Sequence, residues 1–159
     1  MKFTLWDYQQ ESVDALRANI RRGVRRQVLC SPTGSGKTII AMHMADAVRR
    51  KGKRCIFVCD MRTLVHQTSQ RFGEADVPHG ILMAQETRGT YRNVLIASSQ
   101  TMEARNWLEP ETSSYFNYSE DTKPDILFVD ECHTIRKKLL EQIVKLDIMV
   151  IGLSATPFV

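Results

Sequence analysis

Ser31-Pro32-Thr33-Gly34-Ser35-Gly36-Lys37-Thr38 follows directly on a short strand-like run, Gln27-Val28-Leu29-Cys30. Behind it, Ile40, Met44, Ala47 and Val48 recur at helical spacing up to Lys51-Gly52. A strand passing through a glycine-bearing loop into a helix is a phosphate cradle, because backbone N–H groups at a helix N-terminus surround an anion. The spacing lets the backbone of Thr33, Gly34, Ser35 and Gly36 wrap a triphosphate. Lys37 then reaches the β- and γ-phosphates, and the Thr38 hydroxyl ligates Mg²⁺. The usual pattern opens on Gly, whereas this loop opens on Ser31.

Outward from that loop, apolar strands alternate with helical spacings. Residues 8–22 carry Val13, Leu16 and Ile20 on one helical face and stop at Gly23. Arg54 to Cys59 reads as a strand, residues 62–72 as a helix, and Gly80 to Met83 as a weak strand. Asn93 to Ala97 is a further strand, with a short helix near Gln100. Trp107 to Pro124 has no periodicity and reads as a long surface loop. Ile126 to Val129 is a strand, residues 134–146 a helix, and Ile148 to Leu153 the last strand. Strands that are apolar throughout and alternate with helices predict an α/β fold, a mainly parallel sheet with helices on both faces. Ligands of such sheets bind beyond the carboxyl ends of the strands. The phosphate loop, Asp130-Glu131-Cys132-His133 and Ser154-Ala155-Thr156 each follow a strand directly, so the fold is expected to bring all three to one rim.

Asp130 and Glu131 end the run Ile126-Leu127-Phe128-Val129. One carboxylate there can hold the shell of a Mg²⁺ ion while its neighbour orients or deprotonates a water. Two acids at a helix start also suit the helix dipole, but beside a phosphate loop they are expected to serve phosphoryl chemistry.

The 159 residues, 43% hydrophobic and 25% charged, suit one globular domain. No apolar run approaches about 18 residues, and the first residues lack a secretion signal, so an intracellular, cytoplasmic setting without membrane is expected. The net charge of +4 is compatible with a polyanion and does not require one. Arg17, Arg21, Arg22, Arg25 and Arg26 form one basic cluster and Arg49, Arg50, Lys51, Lys53 and Arg54 another. Both read first as solvated helix ends. Cys30, Cys55, Cys59 and Cys132 fit no zinc pattern, since Cys55 and Cys59 lie about 13 Å apart in one strand. Buried, reduced thiols are expected. His66 and His79 have no ligand partner at metal spacing.

Together these segments resemble the superfamily 2 helicases. Asp130-Glu131-Cys132-His133 resembles their motif II in the DEAD/DEAH series, and Ser154-Ala155-Thr156 before Pro157 resembles motif III. In that superfamily a small residue other than Gly, such as Ser31, often opens the loop. Leu5-Trp6-Asp7-Tyr8-Gln9 is similar to the Leu-Arg-Pro-Tyr-Gln segment of the restriction-subunit and phage helicases. Cys59 to Gln67 resembles motif Ia, and Ile96 to Thr101 the next nucleic-acid-contacting segment. The resemblance implies a RecA-like P-loop NTPase fold and an N-terminal ATP-binding domain of an ATP-dependent helicase or translocase, using ATP and Mg²⁺. It implies that Gln9 reads the adenine edge, that Lys37 and Thr38 engage triphosphate and metal, that Asp130 holds Mg²⁺ and that Glu131 is the catalytic base. His133, Ser154 and Thr156 would couple nucleotide state to the strand. Arg62, Ser98, Gln100 and Thr101 would touch a sugar-phosphate backbone, with DNA favoured over RNA. Trp6 replaces the subgroup's Arg and is expected to stack on adenine, although inward packing is the other reading; Asp7 replaces its Pro.

The chain stops at Val159, so residues 1–159 are expected to form one RecA-like domain lacking the second one, its partner, which carries the arginine finger. Loss of such a finger costs about 10³–10⁵ in rate, so the isolated domain is expected to hydrolyse weakly or not at all. Two alternatives stand beside the helicase reading: a restriction-type or remodelling translocase on duplex DNA, and a short module that only binds nucleotide or nucleic acid. A small-molecule P-loop kinase would leave Gln9, the acidic tetrad and Ser154-Ala155-Thr156 without explanation.

Overall fold

A period of two along the strands decides the architecture. In Cys55–Cys59 the side chains of Cys55, Phe57 and Cys59 enter one apolar cluster, and those of Ile56 and Val58 enter another. The same split separates Val94 and Ile96 from Leu95 and Ala97, and Ile126 and Phe128 from Leu127 and Val129. Successive strand side chains point to opposite faces, so strands apolar at every position need a core on both sides.

The computed structural model describes residues 2–109 and 124–155. Its elements are α1 (Asp7–Arg21), β1 (Arg26–Cys30), α2 (Lys37–Arg50), β2 (Cys55–Cys59), α3 (Arg62–Glu74), β3 (Gly80–Met83) and β4 (Glu86–Arg88). β5 (Val94–Ser98), α4 (Ser99–Ala104), β6 (Ile126–Val129), a 3₁₀ turn at Cys132–Thr134, α5 (Lys137–Leu146) and β7 (Met149–Ser154) follow. The sheet order is β1-β7-β6-β2-β5-β3-β4, parallel except for the antiparallel β3–β4 pair. Residues of α1, α2 and α3 pack on one face and residues of α4 and α5 on the other. Phe57 lies at the centre of the first face, 5.8 Å from the Phe72 ring and 6.4 Å from that of Phe128. Burial of one such ring is worth about 1.5–3 kcal/mol.

Several expectations need correction. β4 has no counterpart in the sequence reading; Glu86-Thr87-Arg88 is too short and polar to show a pattern, and pairing with β3 alone makes it a strand. The helix expected from 134 starts at Lys137, because Glu131 takes a left-handed backbone and Cys132–Thr134 tightens into a 3₁₀ turn. β1 is not buried on both faces. It is an edge strand with alternating exposure, leaving Val28 and Cys30 open. Cys30 therefore departs from the expected buried thiols, while Cys55 and Cys59 are fully enclosed and burial pushes both thiols up to about 12. Most of the long loop, residues 110–123, lies outside the described residues.

Candidate nucleotide-binding site

The phosphate loop grows out of β1 without a break in the sheet. The Ser31 N–H donates to the Ser154 carbonyl at 3.0 Å, extending the β1–β7 ladder one residue beyond the strand. The Ser35 N–H then closes a turn onto the Pro32 carbonyl, and the Ser31 hydroxyl donates to that of Ser35 at 2.7 Å. Gly34 and Gly36 have φ of +82° and +85°, a left-handed backbone that side chains resist. Gly36 is the N-cap of α2, which has no side-chain cap and no acidic residue in its first turn. The positive end of that helix is thus left for an external anion. The Lys37 ammonium folds over the loop and donates to the carbonyls of Ser31 at 2.9 Å and Pro32 at 3.3 Å.

α1 clamps this loop from outside. The Gln9 side chain is buried; its Oε1 accepts from the Trp6 N–H at 3.0 Å and its Nε2 donates to the Ser35 carbonyl at 3.4 Å. The Tyr8 hydroxyl donates to the same carbonyl at 2.7 Å. A Cβ added at Gly36 would run into the Gln9 amide, so the loop and the amide fit only because residue 36 has no side chain. Gln9 keeps one lone pair and one N–H for a further partner. Trp6 is 68% exposed, which rules out the inward-packing reading, and its ring meets that of Tyr8 edge-on at 5.9 Å. The loop-anchoring role of Tyr8 went unread in the sequence, where only its place beside Gln9 hints at it.

The acidic residues meet this loop from β6. The Asp130 N–H donates to the Val58 carbonyl, and its Oδ1 accepts from the Glu131 N–H at 3.1 Å. Burial, and next the Glu131 charge, push the Asp130 carboxyl above the ordinary carboxylate value, against the Glu131 N–H, Lys37 and Arg71. The Lys37 and Asp130 charges are thus close enough to sense each other. Glu131 has φ 47° and ψ 51°, a conformation that costs a non-glycine residue about 1 kcal/mol or more. Its carbonyl accepts from both the N–H and the hydroxyl of Thr134, at 2.9 and 2.8 Å, which holds that turn.

His133 joins the acidic segment to β7. Its Nδ1 lies 3.5 Å from Glu131 Oε2 and 3.2 Å from the hydroxyl of the fully buried Ser154. Cys132 packs over the backbone of Gly152, where an added Cβ would sit 2.7 Å from its sulfur. Gly152 is a second residue that nothing in the sequence singles out. Thr156 lies outside the described residues.

Arg62, Ser98, Gln100 and Thr101 are also brought together, in a recess of about 180 Å³ that includes Arg105. Ser98 and Thr101 are buried there, and the Ser98 hydroxyl accepts the Thr101 N–H at 3.5 Å as the N-cap of α4. Arg62 and Gln100 are the exposed polar groups. The Arg62 guanidinium donates to Gln85 Oε1 at 3.2 Å, and that of Arg105 to the Thr87 hydroxyl at 2.9 Å.

Among the described residues no three His, Cys, Asp or Glu side chains converge on a metal position. The donors present, the Thr38 hydroxyl and the Asp130 carboxylate, suit Mg²⁺, which binds through few protein oxygens and draws the rest of its shell from phosphate and water. Among the same residues no helix is long and apolar enough to cross a membrane.

Similarities to known proteins follow the same lines. The chain is 26% identical over 170 residues to the probable helicase HelY of Mycobacterium tuberculosis, covering 98% of this chain and 17% of HelY. It superposes on the SWI2/SNF2 ATPase core of Sulfolobus solfataricus, solved in complex with dsDNA, with a TM-score of 0.74 and 13% identity, over 99% of this chain and 33% of that one. Against the UvsW helicase of bacteriophage T4 the TM-score is 0.71 at 17% identity, over 97% and 53% of the two chains. These two structures establish the RecA-like fold, and the chain spans less than a fifth of HelY. The match to the res subunit of type III restriction enzymes runs over residues 2–159, from the helix that clamps the phosphate loop through the strand that carries Ser154, and the chain belongs to that family.

Proposed function

We propose that this chain is the N-terminal ATP-binding domain of an ATP-dependent motor that moves on nucleic acid, DNA in preference to RNA. The observation that carries the reading is the meeting, at one rim, of the Lys37 loop, the Asp130-Glu131 pair and the His133–Ser154 hydrogen bond, supplied by three separate strand ends. Lys37 exchanges its two carbonyl partners for phosphate oxygens, since a charged acceptor makes the stronger bond. Thr38 and Asp130 would hold Mg²⁺, which when bound would neutralise charge on the phosphates. Glu131 takes the proton of a water, and its fixed left-handed backbone keeps its carboxylate beside His133. His133 lies between Glu131 and Ser154 of β7, so a change at Glu131 reaches β7 through the His133 ring. Gln9 and Trp6 take the adenine, by the free half of the amide and by stacking. Arg62 and Gln100 contact a sugar-phosphate backbone, with Ser98 and Thr101 shaping the recess behind them; such contacts carry no sequence information. In the complete protein a second RecA-like domain supplies the opposing wall of the ATP cleft.

The likeness of fold to an ATPase core solved with dsDNA supports the translocase variant of this reading, in which the motor follows duplex DNA without unwinding it. The test uses the full-length protein. Lys37→Ala should abolish binding of a fluorescent ATP analogue, whereas Glu131→Gln should keep binding and lose DNA-stimulated hydrolysis. Unchanged turnover in Glu131→Gln removes Glu131 as the base, and unchanged binding in Lys37→Ala removes the nucleotide reading. Strand-displacement against triplex-displacement assays then separate unwinding from translocation.

A further inference from the structure

The geometry points to a second binding site at the opposite rim of the sheet: a docking cleft for an acidic peptide segment of a partner protein, anchored by an aliphatic side chain. A cleft of about 600 Å³ lies far from the phosphate loop, where the C-terminal ends of α1 and α2 meet the starts of β6 and β7. That volume is typical of ligand pockets, roughly 300–1,000 Å³.

Its mouth carries Arg17, Arg21, Arg25, Lys51 and Lys53 against two carboxylates, Asp125 and Asp147. Both carboxylates are already engaged. Asp125 Oδ2 accepts from the Arg54 N–H at 2.9 Å, and Asp147 faces Arg25, which also donates to the Asp147 carbonyl at 2.8 Å. Among the described residues, Arg17, Arg21, Lys51 and Lys53 make no ion pair or side-chain hydrogen bond. They are not spent on closing the helix ends either. The Gly23 N–H caps the Ile20 carbonyl at 3.0 Å and the Lys53 N–H that of Val48 at 3.1 Å. The helix dipole favours Arg21 and Lys51 here, but it gives no reason for a concave apolar floor beneath them.

That floor is aliphatic, with Ile20, Met44, Val48, Ile126, Ile148 and Met149 lining it. The lining has no aromatic ring, so it lacks the stacking platform of single-stranded nucleic-acid sites. It has no amide or hydroxyl side chain to read a base or sugar. Arg17 and Arg21 stand one helical turn apart on α1, while Arg25, Lys51 and Lys53 come from other segments. Cations spread round a mouth suit carboxylates spaced along a chain better than one compact headgroup. Carboxylates at the rim and an aliphatic residue on the floor use every group the cleft offers.

The test is fluorescence anisotropy with a labelled dodecapeptide alternating Glu with Leu, on the full chain. Saturable binding is expected, weakened by salt and reduced at least about tenfold, or 1.4 kcal/mol, by Arg21→Glu with Lys53→Glu. Ala47→Trp, which fills the floor and keeps the charge, should weaken binding similarly, and melting curves of both variants should match the parent. Lys37→Ala should leave peptide affinity unchanged, separating this site from the nucleotide reading. Absence of saturable binding, affinity equal to the parent's in either cleft variant, full displacement by a single-stranded oligonucleotide, or capture only by anionic phosphatidylserine vesicles each overturns the proposal.

Discussion

Replacing Gly36 by Ala tests whether α1 and the phosphate loop act as one unit. Two costs arise. A φ of +85° is unfavourable for Ala by about 1–2 kcal/mol. The new Cβ also displaces the Gln9 amide, which breaks its bonds to the Trp6 N–H and the Ser35 carbonyl, for about 1–2 kcal/mol more. The sum of about 2–4 kcal/mol lowers Tm by roughly 5–15 °C in a domain of this size. Gly34 separates the two costs, because its φ is +82° but an added Cβ meets nothing within 4 Å. Gly34→Ala should therefore lose only the backbone part, about 1–2 kcal/mol. Urea denaturation of Gly36→Ala, Gln9→Ala and the double variant completes the cycle. With Gln9 truncated, Gly36→Ala should cost no more than Gly34→Ala, giving a coupling of about 1–2 kcal/mol. A coupling below about 0.5 kcal/mol, or equal losses at Gly34 and Gly36, would refute the clamp.

Two further outcomes follow from burial. Asp130 has its carboxyl raised by burial and then by the Glu131 charge, so the unfolded chain gives up that proton first as pH rises. Stability is therefore lost as pH climbs from the ordinary carboxylate value through the folded one, and the loss persists above it. Asp130→Asn keeps an oxygen for the Glu131 N–H and should melt higher than the parent at pH 7, with the gain vanishing at about pH 3; an equal gain at both would sever it from titration. The thiols should also differ in rate. Cys30, exposed at the edge strand, should react first with a maleimide and the partly covered Cys132 next, while Cys55 and Cys59 wait for unfolding. Uniform labelling of the native protein by mass spectrometry would contradict that order.

The fold class, and which residues meet at the rim, are legible in the sequence alone. Fully apolar strands can only be covered on both faces, and a glycine loop between a strand and a helix leaves a helix N-terminus open to an anion. Those signals are local: each is written in one unbroken stretch of chain, as in the 22 residues Gln27–Val48 or the 8 residues Ile126–His133. Tertiary structure decided what depends on residues far apart in the chain. Only the sheet order makes β1 an edge strand and so exposes Cys30. Pairing alone makes Glu86–Arg88 a strand. Tyr8 became a loop anchor, and Gly152 a seat for Cys132, because folding places them against Ser35 and the acidic turn. Arg17, Arg21, Arg25, Lys51 and Lys53, which read as solvated helix ends, became the mouth of a cleft once α1, α2 and the starts of β6 and β7 met around them. Charge can be counted along a sequence, but concavity exists only between elements, and the cleft at the far rim needs both.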